Sequence, residues 1–127
     1  MLAIDTNLLV RLIARDDEAQ VRLAEEAVAG GAWISHLVLV ECVWVLESVF
    51  NMSCEAVGTC VEMLLNHKSI SVQESEVVVT ALDQFRTHRG VDFSDCMLLE
   101  IARKAGHRPL ATFDRQLGKL DGVQRLK

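Results

Sequence analysis

No two of the four cysteines, Cys42, Cys54, Cys60 and Cys96, are spaced as Cys-x-x-Cys. The sequence therefore offers neither a zinc ribbon nor a dithiol redox centre, and the thiols read as small buried hydrophobes in a reducing compartment. The four histidines, His36, His67, His88 and His107, are scattered without ligand spacing, which argues against zinc. A basic excess is also missing. The net charge of −5 excludes a protein that coats nucleic acid by long-range attraction. It leaves room for a nuclease, because clustered acids lower the formal charge and a bound divalent cation reverses it locally. No apolar run is long enough to cross a bilayer: the longest, Leu37 to Leu46, contains Glu41. The apolar start is interrupted at Asp5, too early for a secretory leader. Repeats, low-complexity tracts and linkers are absent, and there is one proline, Pro109. A single domain over residues 1–127, located in the cytoplasm, is the expectation.

What is present is a globular composition, 50% apolar and 24% charged. The chain opens on Met1-Leu2-Ala3-Ile4 and then changes character at Asp5-Thr6-Asn7. The apolar part reads as a short buried strand and the polar part as its carboxyl edge, where open α/β sheets bind ligands. Leu8, Leu9, Leu12 and Ile13 suit a first helix, with Thr6 or Asn7 as its cap. Asp16-Asp17-Glu18 opens a second, which Gly30-Gly31 stops. Ala32-Trp33-Ile34 is a strand, and Ser35 caps a helix from His36 to Phe50 that is apolar almost all round and should be heavily buried. Ser53 caps a helix from Cys54 to Asn66; Ser69 to Val72 alternates as a strand; Glu74 to Thr87 is helical. A helix from Asp95 to Lys104, a strand at Leu110-Ala111-Thr112 and an edge strand from Val123 to Leu126 complete the chain. Strands alternate with helices throughout, which predicts parallel pairing through crossovers, with helices on both faces.

Four acids fall at strand ends or early in the helices that follow strands. Asp5 ends a strand, and a turn or cap role competes there with a site role. Glu41 is the only charged residue from His36 through Leu46, so its apolar surroundings imply either a buried ion pair or a functional group. Its replacement by Gln should then relieve repulsion and stabilise the metal-free protein. Asp92-Phe93-Ser94-Asp95 reads as a capping arrangement, yet capping alone does not need Asp92, Ser94 and Asp95 together. Asp114 follows Thr112-Phe113 and repeats the acid-and-hydroxyl logic of Asp5. Four such carboxylates at one sheet edge would raise one another's pKa unless a cation sat among them. Oxygen donors without histidine or thiolate favour Mg²⁺ or Mn²⁺. The chemistry that suits them is phosphodiester hydrolysis.

At these residues the sequence resembles the PIN-domain ribonucleases of the VapC toxin type. Ile4-Asp5-Thr6-Asn7, Val40-Glu41, Phe93-Ser94-Asp95 and Ala111-Thr112-Phe113-Asp114 carry the resemblance, in this order and over nearly the whole chain. It implies a three-layer α/β sandwich with a central, twisted, mainly parallel sheet of four to five strands. It implies Mg²⁺- or Mn²⁺-dependent cleavage of RNA by a metal site of Asp5, Glu41, Asp95 and Asp114. Asn7 and Thr112 match supporting polar positions, to which Thr6, Ser94 and Asp92 are added as neighbours. It also implies a homodimer and a small antitoxin that fills the groove and carries a DNA-binding part. Arg11, Arg86, Arg89 and Arg115 are candidates for phosphate contacts. A regulatory module of the same fold, holding a DNA-binding partner with little nuclease activity, is the alternative. A phosphorylation receiver is excluded because no aspartate lies between Asp17 and Asp83. A haloacid-dehalogenase-type phosphatase is excluded because Asn7 stands where its second aspartate is needed.

Overall fold

The computed structural model describes all 127 residues. Five strands and six α-helices alternate, and every strand pair is parallel. Two compact units divide the chain, Met1–Ser75 and Glu76–Lys127.

In the N-terminal unit, β1 (Leu2–Ala3), β2 (Ala32–Ile34) and β3 (Ile70–Val72) form a sheet in that order. Leu2 stands opposite Ala32, and Ala32 opposite Ile70. The strands are short, so side chains decide their place: along β2, Ala32 and Ile34 are buried while Trp33 between them is exposed. The links between parallel strands are helical: α1 (Thr6–Ala14) and α2 (Glu18–Ala29) join β1 to β2, and α3 (His36–Ser48) and α4 (Cys54–Leu65) join β2 to β3. α1 packs on α2 and α3, and α4 on β3. Ser35 and Ser53 cap their helices through Oγ, from the Val38 N–H at 3.1 Å and the Ala56 N–H at 3.2 Å. Asp17 caps α2 in the same way, and Gly31, at φ +100°, turns the chain into β2 in a backbone conformation that side chains resist.

The C-terminal unit holds α5 (Ser75–Thr87 in full), α6 (Phe93–Lys104), β4 (Leu110–Thr112), a 3₁₀ turn at Leu117–Lys119 and β5 (Val123–Arg125). α5 and α6 meet through Phe85 and Phe93, ring centroids 5.7 Å apart and edge to face. β4 pairs with β5, Thr112 opposite Arg125. Glu100 on α6 is 5% exposed, and one of its oxygens makes no hydrogen bond within the protein. The Arg103 guanidinium lies 3.9 Å from that oxygen and also donates to the carbonyl of Asp121. Arg103 thus ties α6 to the turn before β5 while offsetting a buried charge.

The α/β alternation and the parallel pairing agree with the sequence. The single sheet of four to five strands does not: the hydrogen-bonded ladders number two, of three strands and of two. β1 contributes only two residues and pairs with β2 alone. The cap of α1 is Asp5, not Thr6 or Asn7, and α6 begins at Phe93, two residues before the expected start. Nor is α3 buried all round: Leu37, Glu41 and Trp44 are exposed, while Leu39, Cys42, Val43 and Leu46 face inward. All four cysteines are free; Cys42 and Cys96 are buried as expected, Cys60 is half-buried, and Cys54 is exposed at the start of α4. No helix is long and apolar enough to cross a membrane.

Replacing Arg103 by Met would strand the buried Glu100 charge. Unfolding in urea should show a loss of about 3 kcal/mol, recovered in part when Glu100→Gln is added. An unchanged midpoint in the single variant would show that Arg103 offsets nothing.

Candidate active site

The N-terminal unit places Asp5 just past β1, at the N-cap of α1, on extended backbone. Its Oδ1 accepts the Leu8 N–H at 3.0 Å, leaving Oδ2 outside the capping bond. Cap and site are therefore not competing roles for this residue: the cap fixes the carboxylate and one oxygen does the fixing. Thr6, half-buried beside it, donates its hydroxyl to Oε1 of Glu41 at 2.9 Å. That bond joins the first residue of α1 to the middle of α3 and brings Glu41 to the residue next to Asp5. Glu41 is exposed, so the burial implied by its apolar neighbours in sequence is not realised, and a buried ion pair is ruled out with it. The expected gain in stability from Glu41→Gln loses its basis for the same reason. Asn7 is exposed and lines a recess of about 250 Å³ with Leu8, Arg11, Gln20, Leu23 and Ala24. Arg11 is committed to the protein: its guanidinium bonds Gln20 at 2.6 Å and Asp16 at 2.9 Å.

The C-terminal unit gathers Asp92, Asp95 and Asp114 as electrostatic neighbours. Asp92 occupies the N-cap of α6, yet its side chain makes no capping bond; its backbone carbonyl accepts from Asp95 at 3.0 Å and Cys96 at 3.1 Å. A capping role for this acid therefore fails, and its carboxylate is not spent on the helix. Ser94 is exposed and Asp95 half-buried in the first turn. Burial foremost, then the negative charges of Asp92 and Asp114, hold the Asp95 carboxyl above the usual aspartate range. Asp114 repeats the arrangement of Asp5: Oδ2 accepts the Leu117 N–H at 2.8 Å, while its own N–H donates to the Thr112 hydroxyl at 3.0 Å. Thr112 thus positions the backbone of Asp114, which is a supporting role in physical terms. Arg86 already has partners within the protein; Arg89 and Arg115 are exposed. Arg125, opposite Thr112, is a cation that no sequence pattern marks, because only strand pairing brings it there.

No group of three or more His, Cys, Asp or Glu side chains is drawn tightly enough together to enclose a metal ion. The donor chemistry nevertheless fits a hard cation. The acids offer carboxylate oxygens, and the Cys96 thiol beside Asp95 in sequence is buried and pushed up to about 12, by burial foremost, then by Asp95, Glu100 and Asp92. Mg²⁺ is typically held by one or two carboxylates and keeps several waters, so it does not require a closed cage of side chains. A larger cavity of about 550 Å³ in the N-terminal unit, lined among others by Leu12, Val28, Cys60 and Ile70, includes none of these acids.

The PIN-domain family profile matches residues 2–123. This chain belongs to the PIN-domain family. Neither curated proteins nor solved structures give a match. The PIN domain is generally a nuclease fold, and PIN nucleases generally use divalent metal ions. That setting accounts for acids at strand ends more completely than capping does, since capping leaves Asp92 and half of each of Asp5 and Asp114 unaccounted for.

The raised pKa of Asp95 has a thermodynamic consequence. The folded PIN domain holds this proton more tightly than the unfolded chain, so ionisation costs stability. The penalty is absent below the unfolded pKa, grows as pH climbs through the raised folded value, and is complete above it. Asp95→Asn should therefore raise the melting temperature of chelator-treated protein at neutral pH, with the gain vanishing in acid. A gain that persists at pH values where both forms are protonated would assign it to something other than charge.

Proposed function

We propose that this PIN domain, over residues 1–127, is a metal-dependent endoribonuclease and the toxin of a toxin–antitoxin pair. The observation that carries the reading is that each unit presents a capped strand-end aspartate with a further acid beside it: Asp5 with Glu41, and Asp114 with Asp95 and Asp92. In this reading Asp5 and Asp95 would hold Mg²⁺ or Mn²⁺ directly, and Glu41 and Asp114 would support it through bound waters or a second ion. When bound, the cation supplies Lewis acidity to a phosphate oxygen and lowers the pKa of nearby water. The chain's own groups do the rest. Glu41, held by Thr6, accepts the proton of an attacking water. The water oxygen bonds to phosphorus in line, and the bond from phosphorus to the 3′ oxygen breaks. A 5′-phosphate remains, and the departing oxygen takes up a proton to become a 3′-hydroxyl. Thr112 fixes Asp114, and exposed Arg89 and Arg115 meet the backbone phosphates.

A cytoplasmic toxin working as a homodimer beside a small antitoxin with a DNA-binding part follows from the VapC-type resemblance. The exposed apolar side of α3, with Leu37 and Trp44 flanking Glu41 at helical spacing, supports a protein partner over the acids. The experiment is digestion of a small-RNA pool by purified antitoxin-free protein with Mg²⁺, with Mn²⁺ or with chelator. Discrete cuts that require metal and disappear in Asp5→Asn are expected. A folded, metal-binding protein that cuts nothing would favour the regulatory module instead.

Thr6 is a positioning residue in this scheme. Thr6→Val should lower kcat about tenfold with KM nearly unchanged, and Thr6→Ser should restore it. Equal loss in both variants would point to packing at α1 rather than to the hydroxyl.

A further inference from the structure

Phe113 is 76% exposed, although the chain has only four Phe and two Trp with which to build a core. It is not exposed through looseness. The turn that carries it is tied by Asp114 N–H to Thr112 Oγ1 at 3.0 Å, Leu117 N–H to Asp114 Oδ2 at 2.8 Å and Gly118 N–H to the Asp114 carbonyl at 3.0 Å. Leu126 N–H donates to the Thr112 carbonyl at 2.7 Å, and buried Leu117 anchors the far side. A well-fixed turn thus holds an aromatic ring in water, which its own unit does nothing to offset.

The ring's surroundings are charged. Asp114 and Arg115 follow it, both exposed, and Arg125 stands opposite Thr112 in the β4–β5 register. Gly118 makes room for that arginine: a Cβ there would come within 2.9 Å of Arg125 Cβ. One ring beside an acid of the proposed site, with Arg115 two residues on and Arg125 on the neighbouring strand, is unlike an apolar protein-docking patch. It matches what an unpaired nucleotide requires: a flat face for the base and guanidinium groups for the adjacent phosphates.

We propose that Phe113 stacks on an unpaired base next to the cleaved phosphate, with Arg115 and Arg125 meeting adjacent phosphates. A base inside a duplex already has both faces stacked and offers none to Phe113. The inference rests on the nuclease reading above, and it assigns this aromatic a part in that site.

The test compares Phe113→Ala, Phe113→Leu and Phe113→Trp in the uncleaving Asp5→Asn background with Mg²⁺. Affinity for a labelled single-stranded oligoribonucleotide and for its duplex is read by fluorescence anisotropy. Ala and Leu should weaken single-strand binding on the order of tenfold and leave duplex binding unchanged. Trp should keep the affinity, with its added indole emission quenched by the single strand only. Equal affinities across the series, in a protein whose parent form still cleaves RNA, would overturn the stacking role and leave the nuclease standing. A fall in particle mass for Phe113→Ala in light scattering would overturn it too, by showing that a second copy covers the ring. No RNA binding by the parent chain would remove both readings. Because Phe113 buries little, melting curves of the variants should coincide, and that coincidence is the folding control.

Discussion

A carboxylate has two oxygens, and the strand-end aspartates of this protein give only one of theirs to the backbone. Asp5 caps α1, and Asp114 holds the first residue of the 3₁₀ turn, each through a single oxygen to an N–H three residues on. The bond orients the group without using it up. Short strands and immediate helix starts put each acid within reach of those N–H groups, and the hydroxyls of Thr6 and Thr112 bond beside them.

The two units reach this end by different local means. In one, a threonine hydroxyl bridges from the first turn of a helix to a glutamate on its neighbour. In the other, burial foremost and then the neighbouring Asp92 and Asp114 hold the Asp95 carboxyl above the usual aspartate range. The hydroxyl bridge sets a geometry, and the PIN-domain match over residues 2–123 spans both arrangements.

Much of the element order is legible because strands and helices here differ sharply in period, and because Ser35, Ser53 and the Gly30-Gly31 pair punctuate the chain unambiguously. The acids are legible too, since an ionisable group directly after an apolar run must either cap the next helix or serve a site. The features that sequence hides share a cause. Glu41 sits among apolar residues in sequence, but a helix with apolar residues on every side need not be covered on every side, and periodicity cannot say which side is left open. Asp92 looks like a cap and stands at the cap position, yet whether its oxygen bonds the helix depends on a rotamer. Arg11 looks free in sequence because Asp16 and Gln20 reach it only after α1 and α2 fold against each other. The buried Glu100 and its partner Arg103 give no signal at all: three residues apart on a helix, they resemble any surface pair.

The distribution of thiols has a use of its own. Cys54 is the exposed cysteine, at the first residue of α4, while Cys42 lies buried in the N-terminal unit and Cys96 in the C-terminal one. Burial pushes both inner thiols up to about 12, so neither reacts until the chain around it opens. Each unit therefore carries a built-in chemical clock. After exposed Cys54 and half-buried Cys60 are blocked, the rates at which a thiol reagent reaches Cys42 and Cys96 report separately how often each half of the molecule unfolds locally, without the addition of a probe.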